Sequence, residues 1–154
     1  METASATQIL VPTPEALARE CEQLNRLESF LSRFPAAQMP VINRFTRGSD
    51  GKVNLYTREI FMPKGTLLTS KIHKTEHQFV VISGRVAVWS EADGVTILEA
   101  GHVGITKAGT RRALFIHEDC RWMTMHHVGT DNLEQIEAEL IEPHNFPKQQ
   151  EALP

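Results

Sequence analysis

Gly65–Gly84, with the sequence GTLLTSKIHKTEHQFVVISG, is the stretch that decides the fold. It sets His73 and His77 beside an acid and a lysine, among apolar residues typical of β-strands. Alternation in a strand sends successive side chains to opposite faces of a sheet. The stretch therefore predicts the polar lining of a small β-barrel.

Short runs with strand character continue on both sides of this stretch, from Val41 to Val128. The nine runs are separated by turn signals, among them Ser83-Gly84 and the residues HEDC at 117–120. No helical segment interrupts them, which excludes a parallel α/β sheet. The pattern predicts an all-β sandwich or barrel.

A helical pattern precedes the β region. Thr13 is expected to cap the helix and Pro14 to occupy its first turn. Apolar residues then recur at steps of three and four from Leu17 to Phe34, and Pro35 ends the helix. This spacing predicts an amphipathic helix that packs on the barrel or, alternatively, on another subunit.

A second, shorter helix follows the β region, with Thr130 or Asp131 as its cap. A chain of 154 residues is expected to form one domain. The predicted organisation is an N-terminal arm and helix over 1–40, the barrel over 41–129, and a C-terminal helix and tail over 130–154.

The composition is that of a soluble globular protein, with 41% hydrophobic and 23% charged residues. A net charge of -3 offers no electrostatic attraction for nucleic acid or an anionic membrane. The sequence has no signal-peptide pattern and no run of the ~18 apolar residues that a membrane span needs. Two cysteines do not make a disulfide framework, so a reducing, cytoplasmic location is expected.

Two glycine-anchored motifs resemble those of the cupin superfamily. The first cupin motif is G-x5-H-x-H-x3-E-x6-G, and its positions are filled here by Gly65, Lys71, His73, His77 and Gly84. The second is G-x5-P-x-G-x2-H-x3-N, and its positions are filled by Gly101, Lys107, Gly109, Arg112 and Ile116. The spacing agrees throughout, and the chain is similar to small uncharacterised cupins of bacteria and their phages.

This resemblance implies a double-stranded β-helix, or jelly roll, with its ligand site inside the barrel. In metal-binding cupins the motif positions hold the ion. His73 coincides with a usual ligand, and His77 replaces a carboxylate with an imidazole, which still binds several transition metals. Lys71 and Arg112 replace two histidines with cations that repel a metal ion.

A third ligand is expected from the strand after motif two. A three-residue loop at 118–120 would place Trp122, Thr124 and His126 inside, whereas a two-residue loop would place Met123, Met125 and His127 inside. The first register is preferred, because Thr and His suit a polar pocket. His73, His77 and His126 would then hold a divalent ion (Zn, Fe, Ni or Mn) and leave a position open for water or substrate.

Other polar residues are candidates for handling a substrate. Glu76 and Tyr56 are predicted to move protons, although Glu76 alternatively is a solvated turn residue. Arg112, Lys71 and Trp122 are predicted to contact the substrate. An inward Arg112 needs an anionic partner, for which Glu76, Glu59 and a bound carboxylate or phosphate are the alternatives.

Three functions remain open. The first is a metal-dependent enzyme that acts on a small polar, anionic molecule. The second is a non-catalytic cupin that binds a ligand or serves as an oligomeric accessory protein without metal. The third is a metal-free enzyme similar to sugar-nucleotide epimerases. A homo-oligomer, by default a dimer, is expected in each case.

Overall fold

The fold is described by a computed structural model of residues 14–143, with side chains described from residue 22 onward. Within that range the elements are, in chain order, α1 (Pro14–Leu31), β1 (Val41–Arg47), β2 (Val53–Met62), β3 (Leu67–Thr69), β4 (His77–Ser90), β5 (Gly94–Glu99), β6 (Val103–Thr106), β7 (Ala113–His126) and α2 (Leu133–Leu140). The predicted cap at Thr13, the arm before it and the tail from residue 144 lie outside the described residues.

Two long strands, β4 and β7, organise the barrel and pair antiparallel along most of their length. The first half of β4 also pairs with β6, and the second half of β7 pairs with β2, which in turn pairs with β1. The second half of β4 pairs with β5, and the beginning of β7 pairs with β3. Each long strand therefore belongs to both layers of a jelly roll. The predicted all-β barrel with an N-terminal and a C-terminal helix is confirmed.

The predicted turns at Ser83-Gly84 and at 117–120 are wrong, because β4 and β7 continue through them as bent strands. Nine predicted runs thus become seven strands. Gly84 has φ +93°, a left-handed conformation that glycine adopts without steric cost. A Cβ here would lie 2.3 Å from the backbone oxygen of Asp119. Register shifts around Gly84 bulge the ladder, so the chain changes layer without reversing.

The run at 66–74 is a shorter strand than its pattern predicts. Only Leu67–Thr69 forms a ladder, with β7, and a loop follows until β4 begins at His77. The stretch that carries the first motif is therefore a short strand, a loop and a long strand.

The main hydrophobic core lies between the two layers. It takes inward side chains from β2, β4, β5 and β7, namely Met62, Phe79, Val81, Val86, Val88, Leu98, Leu114, Ile116, Cys120 and Trp122. A smaller cluster joins the open end of the barrel to α2 and consists of Val53, Tyr56, Val128, Ile136 and Leu140. The space between these two clusters holds the polar residues of the site.

Helix α1 packs on the barrel next to β3. Glu28 and Arg111 form an ion pair at 2.5 Å, and each side chain is only 5% exposed. Thr69 Oγ1 donates to Glu28, and Arg111 donates to Asn25 Oδ1, both at 2.8 Å. Helix α1 thus contacts its own barrel, and a contact with another subunit stays a prediction.

The helix ends differ in detail from the prediction. Phe34, expected on the buried stripe, is 49% exposed, because α1 ends at Leu31. The cap of α2 is Asn132, whose side chain accepts a backbone hydrogen bond, rather than Thr130 or Asp131. Neither helix in the described part of the chain is long and apolar enough to cross a membrane.

Candidate metal centre

The three histidines predicted as metal ligands lie together inside the barrel. The ring centroids are 4.2 Å apart for His73 and His77, 4.7 Å for His77 and His126, and 5.4 Å for His73 and His126. One nitrogen of each ring lies within 4.8 Å of the nitrogens of the other two. His77 and His126 are buried and His73 is half-buried. Three imidazoles are the protein ligand set of an open zinc-type site.

Strand β7 presents His126 to the interior, in the preferred one of the two predicted registers. His126 pairs with Tyr56 on β2, and it lines the pocket together with Trp122 and Thr124. His127 is exposed. The loop-length argument for this register is wrong, since β7 has no turn at 117–120. The inward face follows instead from the alternation of β7 after its bend.

His73 is positioned by the far end of the chain. It lies in the loop before β4 and forms an antiparallel bridge with Ile141, the residue just after α2. The next backbone N–H, of Lys74, donates to the Leu140 carbonyl at 2.8 Å. A local sequence pattern does not reveal this contact, because its partners lie more than 60 residues apart.

The pocket keeps its imidazoles neutral. Burial lowers the pKa of His73 to about 3, the neighbouring His77 and His126 lower it further, and the charges of Arg58 and Arg112 add a smaller effect. Burial also lowers the pKa of His126 to about 4, and the pKa of His77 falls through burial and the charge of Arg112. A neutral imidazole has the free lone pair that binds a metal ion.

The hydrogen bonds around the rings fit a metal. Nδ1 of His77 and Nδ1 of His126 are buried, and neither has a hydrogen-bond partner within residues 14–143. Nε2 of His126 lies 2.9 Å from Oγ1 of Thr124, which orients the ring. Buried polar atoms without partners are costly, and coordination of an ion offsets this cost. The residues present therefore fit a divalent metal.

The histidines lie in a pocket of about 420 Å³. Its other polar lining includes Arg58, Lys71, Arg112, Glu137 and Tyr56. Much of the remaining wall is apolar and consists of Met39, Ile60, Met62, Leu68, Leu114 and Trp122. The pocket thus joins a cationic region beside the imidazoles to a hydrophobic surface, a combination typical of small-molecule sites.

Arg112 is one of the residues that line this pocket. Its guanidinium carbon lies 5.5 Å from the centre of the Phe79 ring and 5.9 Å from that of Trp122. Nη2 donates to Thr106 Oγ1 at 3.0 Å, whereas the buried Nε has no partner in the described chain. The Trp122 ring predicted to contact substrate is thus a support for the guanidinium as well as a pocket wall.

The two carboxylates considered as partners of Arg112 lie elsewhere. Glu76 is exposed, pairs with Lys107 at 3.2 Å and does not line the pocket. Glu59 is buried on the other face of β2, between Arg44 and Arg121. Glu76 was predicted either to move protons or to be a solvated turn residue, and its exposed position outside the pocket agrees with the second alternative.

Arg58 is a pocket residue that the sequence reasoning missed. It pairs with Thr124 on β7, and its charge helps to lower the pKa of both His73 and His126. The signal was present, because Arg58 follows Tyr56 by two residues in a strand and therefore shares its face.

Glu137 on α2 is a second missed residue. Its carboxylate accepts a hydrogen bond from Lys71 Nζ at 2.9 Å, and this contact lowers the pKa of Glu137. Lys71, predicted to contact substrate, therefore lines the pocket as the partner of an acid. The sequence gives little sign of Glu137, because its position depends on α2 folding back over the barrel.

Tyr56 lies beside the histidine cluster, in agreement with its predicted place in the pocket. Its ring stacks on that of His126 at 5.8 Å, and its hydroxyl donates to Asn43 Oδ1 at 2.5 Å. Burial raises the pKa of the Tyr56 hydroxyl. The group therefore stays protonated at neutral pH and serves as a hydrogen-bond donor.

A scan against models of known protein families finds no match, and neither does a search of curated proteins. Solved structures do match. A salicylate 1,2-dioxygenase from Pseudaminobacter salicylatoxidans is 15% identical, with a TM-score of 0.51 over 79% of this chain and 36% of its own.

Two cupin domains are similar to the chain as well. A cupin-2 domain protein from Shewanella frigidimarina is 15% identical, with a TM-score of 0.44 over 68% of this chain and 91% of its own. The cupin-2 domain of an XRE family transcriptional regulator from Enterobacter cloacae is 16% identical, with a TM-score of 0.47 over 61% of this chain and all of its own.

Identities this low bear on the fold and not on the reaction. The match to the salicylate 1,2-dioxygenase, at a TM-score of 0.51, supports the barrel fold described above. The chain therefore has the cupin fold.

Proposed function

We propose that this protein binds a divalent metal ion through His73, His77 and His126, and that it binds or transforms a small anionic molecule beside the ion. The observation that carries the proposal is the cluster of three imidazoles, each with a nitrogen within 4.8 Å of the others, at the wall of a 420 Å³ pocket. Three neutral imidazoles leave coordination positions for a ligand.

Each pocket residue has a defined part in this proposal. A bound divalent ion would act as a Lewis acid on an oxygen of the ligand. Arg112 binds the anionic group through its guanidinium, and the apolar wall excludes water from the rest of the molecule. Tyr56, which lines the pocket and whose ring stacks on that of His126, is the proposed proton donor. Where the ligand is not transformed, the same residues bind it.

Two adjacent histidines provide the test. The protein is stripped with a chelator, and Zn²⁺, Ni²⁺, Mn²⁺ and anaerobic Fe²⁺ are titrated in by calorimetry. His126→Ala should lower the affinity for the preferred ion at least about tenfold, since removal of one of three ligands weakens coordination strongly. His127→Ala is the matched control and should bind like the wild type, because His127 is exposed.

Thermal unfolding gives an independent measurement. An ion at a hundred times its Kd should stabilise the wild type and His127→Ala by about 2.7 kcal/mol, and His126→Ala much less. Binding of less than about one-tenth of an ion per chain by the wild type would overturn the proposal.

A second candidate is a non-catalytic protein that binds an anion without metal. It is favoured by the two arginines, Arg58 and Arg112, whose charges oppose a cation at the histidines. Stoichiometric anion binding by chelator-treated protein, with no metal binding, would support it. We further propose a homo-oligomer and a cytoplasmic location, where the free, buried Cys120 stays reduced.

A further inference from the structure

The charges of the pocket do not balance. Three cationic side chains line it, Arg58, Lys71 and Arg112, against one carboxylate, that of Glu137. Lys71 and Glu137 pair with each other and cancel. The two arginines remain, and neither forms an ion pair with a carboxylate in the part of the chain that is described.

These two guanidiniums are close enough to affect the imidazoles. The charge of Arg58 acts on His73 and His126, and that of Arg112 acts on His73 and His77. A divalent cation at the same nitrogens would meet the same repulsion, doubled by its charge. With a divalent ion bound and no anion, the ion and the two arginines together would give the pocket a net charge of about +4. This positive charge opposes binding of the ion.

The guanidinium of Arg112 is held ready for an anion. Its plane is supported by Phe79 and Trp122, and Thr106 holds one amino group, which leaves Nε without a partner in the described chain. A fixed guanidinium with free N–H groups matches the two oxygens of a carboxylate. The adjoining wall of Ile60, Met62, Leu68 and Leu114 suits an apolar body rather than a sugar or a nucleotide.

From this arrangement we infer that the pocket binds a divalent ion and a small carboxylate with an apolar body as a coupled pair, each raising the affinity for the other. The inference rests on the proposed function and names its ligand class. The carboxylate offsets the charge of Arg58, Arg112 and the ion together. The ion in turn adds an attractive charge beside the bound carboxylate. Because binding free energies are linked, the two enhancements are equal in size.

The experiment uses benzoate as the carboxylate and Zn²⁺ as the ion. Zn²⁺ is titrated into the full-length, metal-free protein with and without saturating benzoate, and benzoate is titrated with and without Zn²⁺. We expect each to raise the affinity for the other by about tenfold or more, by the same factor. Benzamide, which has the same shape without the charge, should give no enhancement. Inorganic phosphate should give less than benzoate, since it has no apolar body.

Variants locate the coupling. Arg112→Gln and, separately, Arg58→Gln should each reduce the enhancement severalfold and should raise the affinity for Zn²⁺ without benzoate, because each removes a charge that repels the ion. Arg85→Gln is the matched control, because Arg85 is an exposed arginine paired with Glu99 outside the pocket. Circular dichroism verifies that each variant is folded, and the two pocket variants provide independent tests.

The outcomes separate the two proposals. If Zn²⁺ binds at the histidines with an affinity that benzoate does not change, the coupling is wrong and the metal site stands. If phosphate or benzamide enhances Zn²⁺ binding as strongly as benzoate does, the assigned ligand class is wrong. If the wild type binds no Zn²⁺ in the presence or absence of benzoate, both the coupling and the metal site fail for this ion.

Discussion

At the scale of single residues, the pocket depends on keeping charge off its histidines. His73, His77 and His126 share a space with Arg58 and Arg112, and burial together with these arginines holds the imidazole pKa values low. The same feature that frees the lone pairs for a metal ion makes the folded state sensitive to acid.

This sensitivity gives a prediction for the metal-free protein. In the unfolded chain a histidine takes up a proton near pH 6.5, whereas His73 and His126 in the folded state do so only near pH 3 and 4. Between these values the unfolded state binds more protons, so the free energy of unfolding falls as the pH is lowered. We expect the loss to begin near pH 6.5 and to continue to about pH 3, where His73 is protonated in the folded state as well.

Denaturant titrations at pH 7.5 and pH 5 measure this effect. His126→Gln should show a smaller drop between the two pH values than the wild type, because one titrating group with a low pKa has been removed. His127→Gln should retain the wild-type drop. An unchanged drop in His126→Gln would show that this imidazole titrates alike in both states.

At the scale of elements, the bent strands carry the site. β4 supplies His77 to the pocket before its bend and core residues on both sides of the bend, so one strand serves both the pocket and the core. The bend depends on Gly84, whose φ is +93° and whose missing side chain leaves room for the backbone of Asp119.

Gly84→Ala should therefore be strongly destabilising. Its Cβ would clash with backbone atoms of Asp119 and Cys120, and the left-handed conformation adds strain. We expect a loss of at least about 3 kcal/mol in the free energy of unfolding, among the larger effects of single substitutions. Gly109→Ala is the control, since Gly109 also has a positive φ but open space around it. Equal losses in both variants would mean that the close approach of strands is unimportant.

At the scale of the whole molecule, both layers carry an apolar row on their outer face, and the longer row lies on the layer that contains β1 and β6. This row crosses five strands from Ile42 on β1 through Met123 and Val80 to Val103 on β6, interrupted only by Glu59. Val103 is 62% exposed and the neighbouring Ile105 is 58% exposed. Such faces favour association, which supports the proposed homo-oligomer.

Light scattering coupled to gel filtration tests this proposal. The wild type should have at least twice the monomer mass of 17.3 kDa, and Val103→Lys should shift it towards the monomer. Val95→Lys, at an equally exposed position on β5 in the other layer, should leave the assembly unchanged. A wild type that stays monomeric at high micromolar concentration would contradict the association.

The fold was predictable from local signals to a large extent. Alternation predicted the barrel, the resemblance of the motifs anchored at Gly65, Gly84 and Gly101 to cupin motifs implied a jelly roll, and the preference for polar residues inside selected His126. The bend at Gly84 was predicted as a turn, because a glycine with positive φ occurs both in tight turns and in bulges of a continuous strand. The missed Glu137 depended on how α2 folds onto the barrel, and no local periodicity encodes such a contact.

The bridge between His73 and Ile141 has a consequence for the lifetime of the site. It joins one proposed ligand to the C-terminal helix, whereas the other two, His77 and His126, belong to the long strands. A local opening that detaches α2 would release His73 with it and leave only two imidazoles. A bound ion would then act as a cross-link between the helix and the barrel, and the rate at which this helix lifts away would govern how fast the ion escapes.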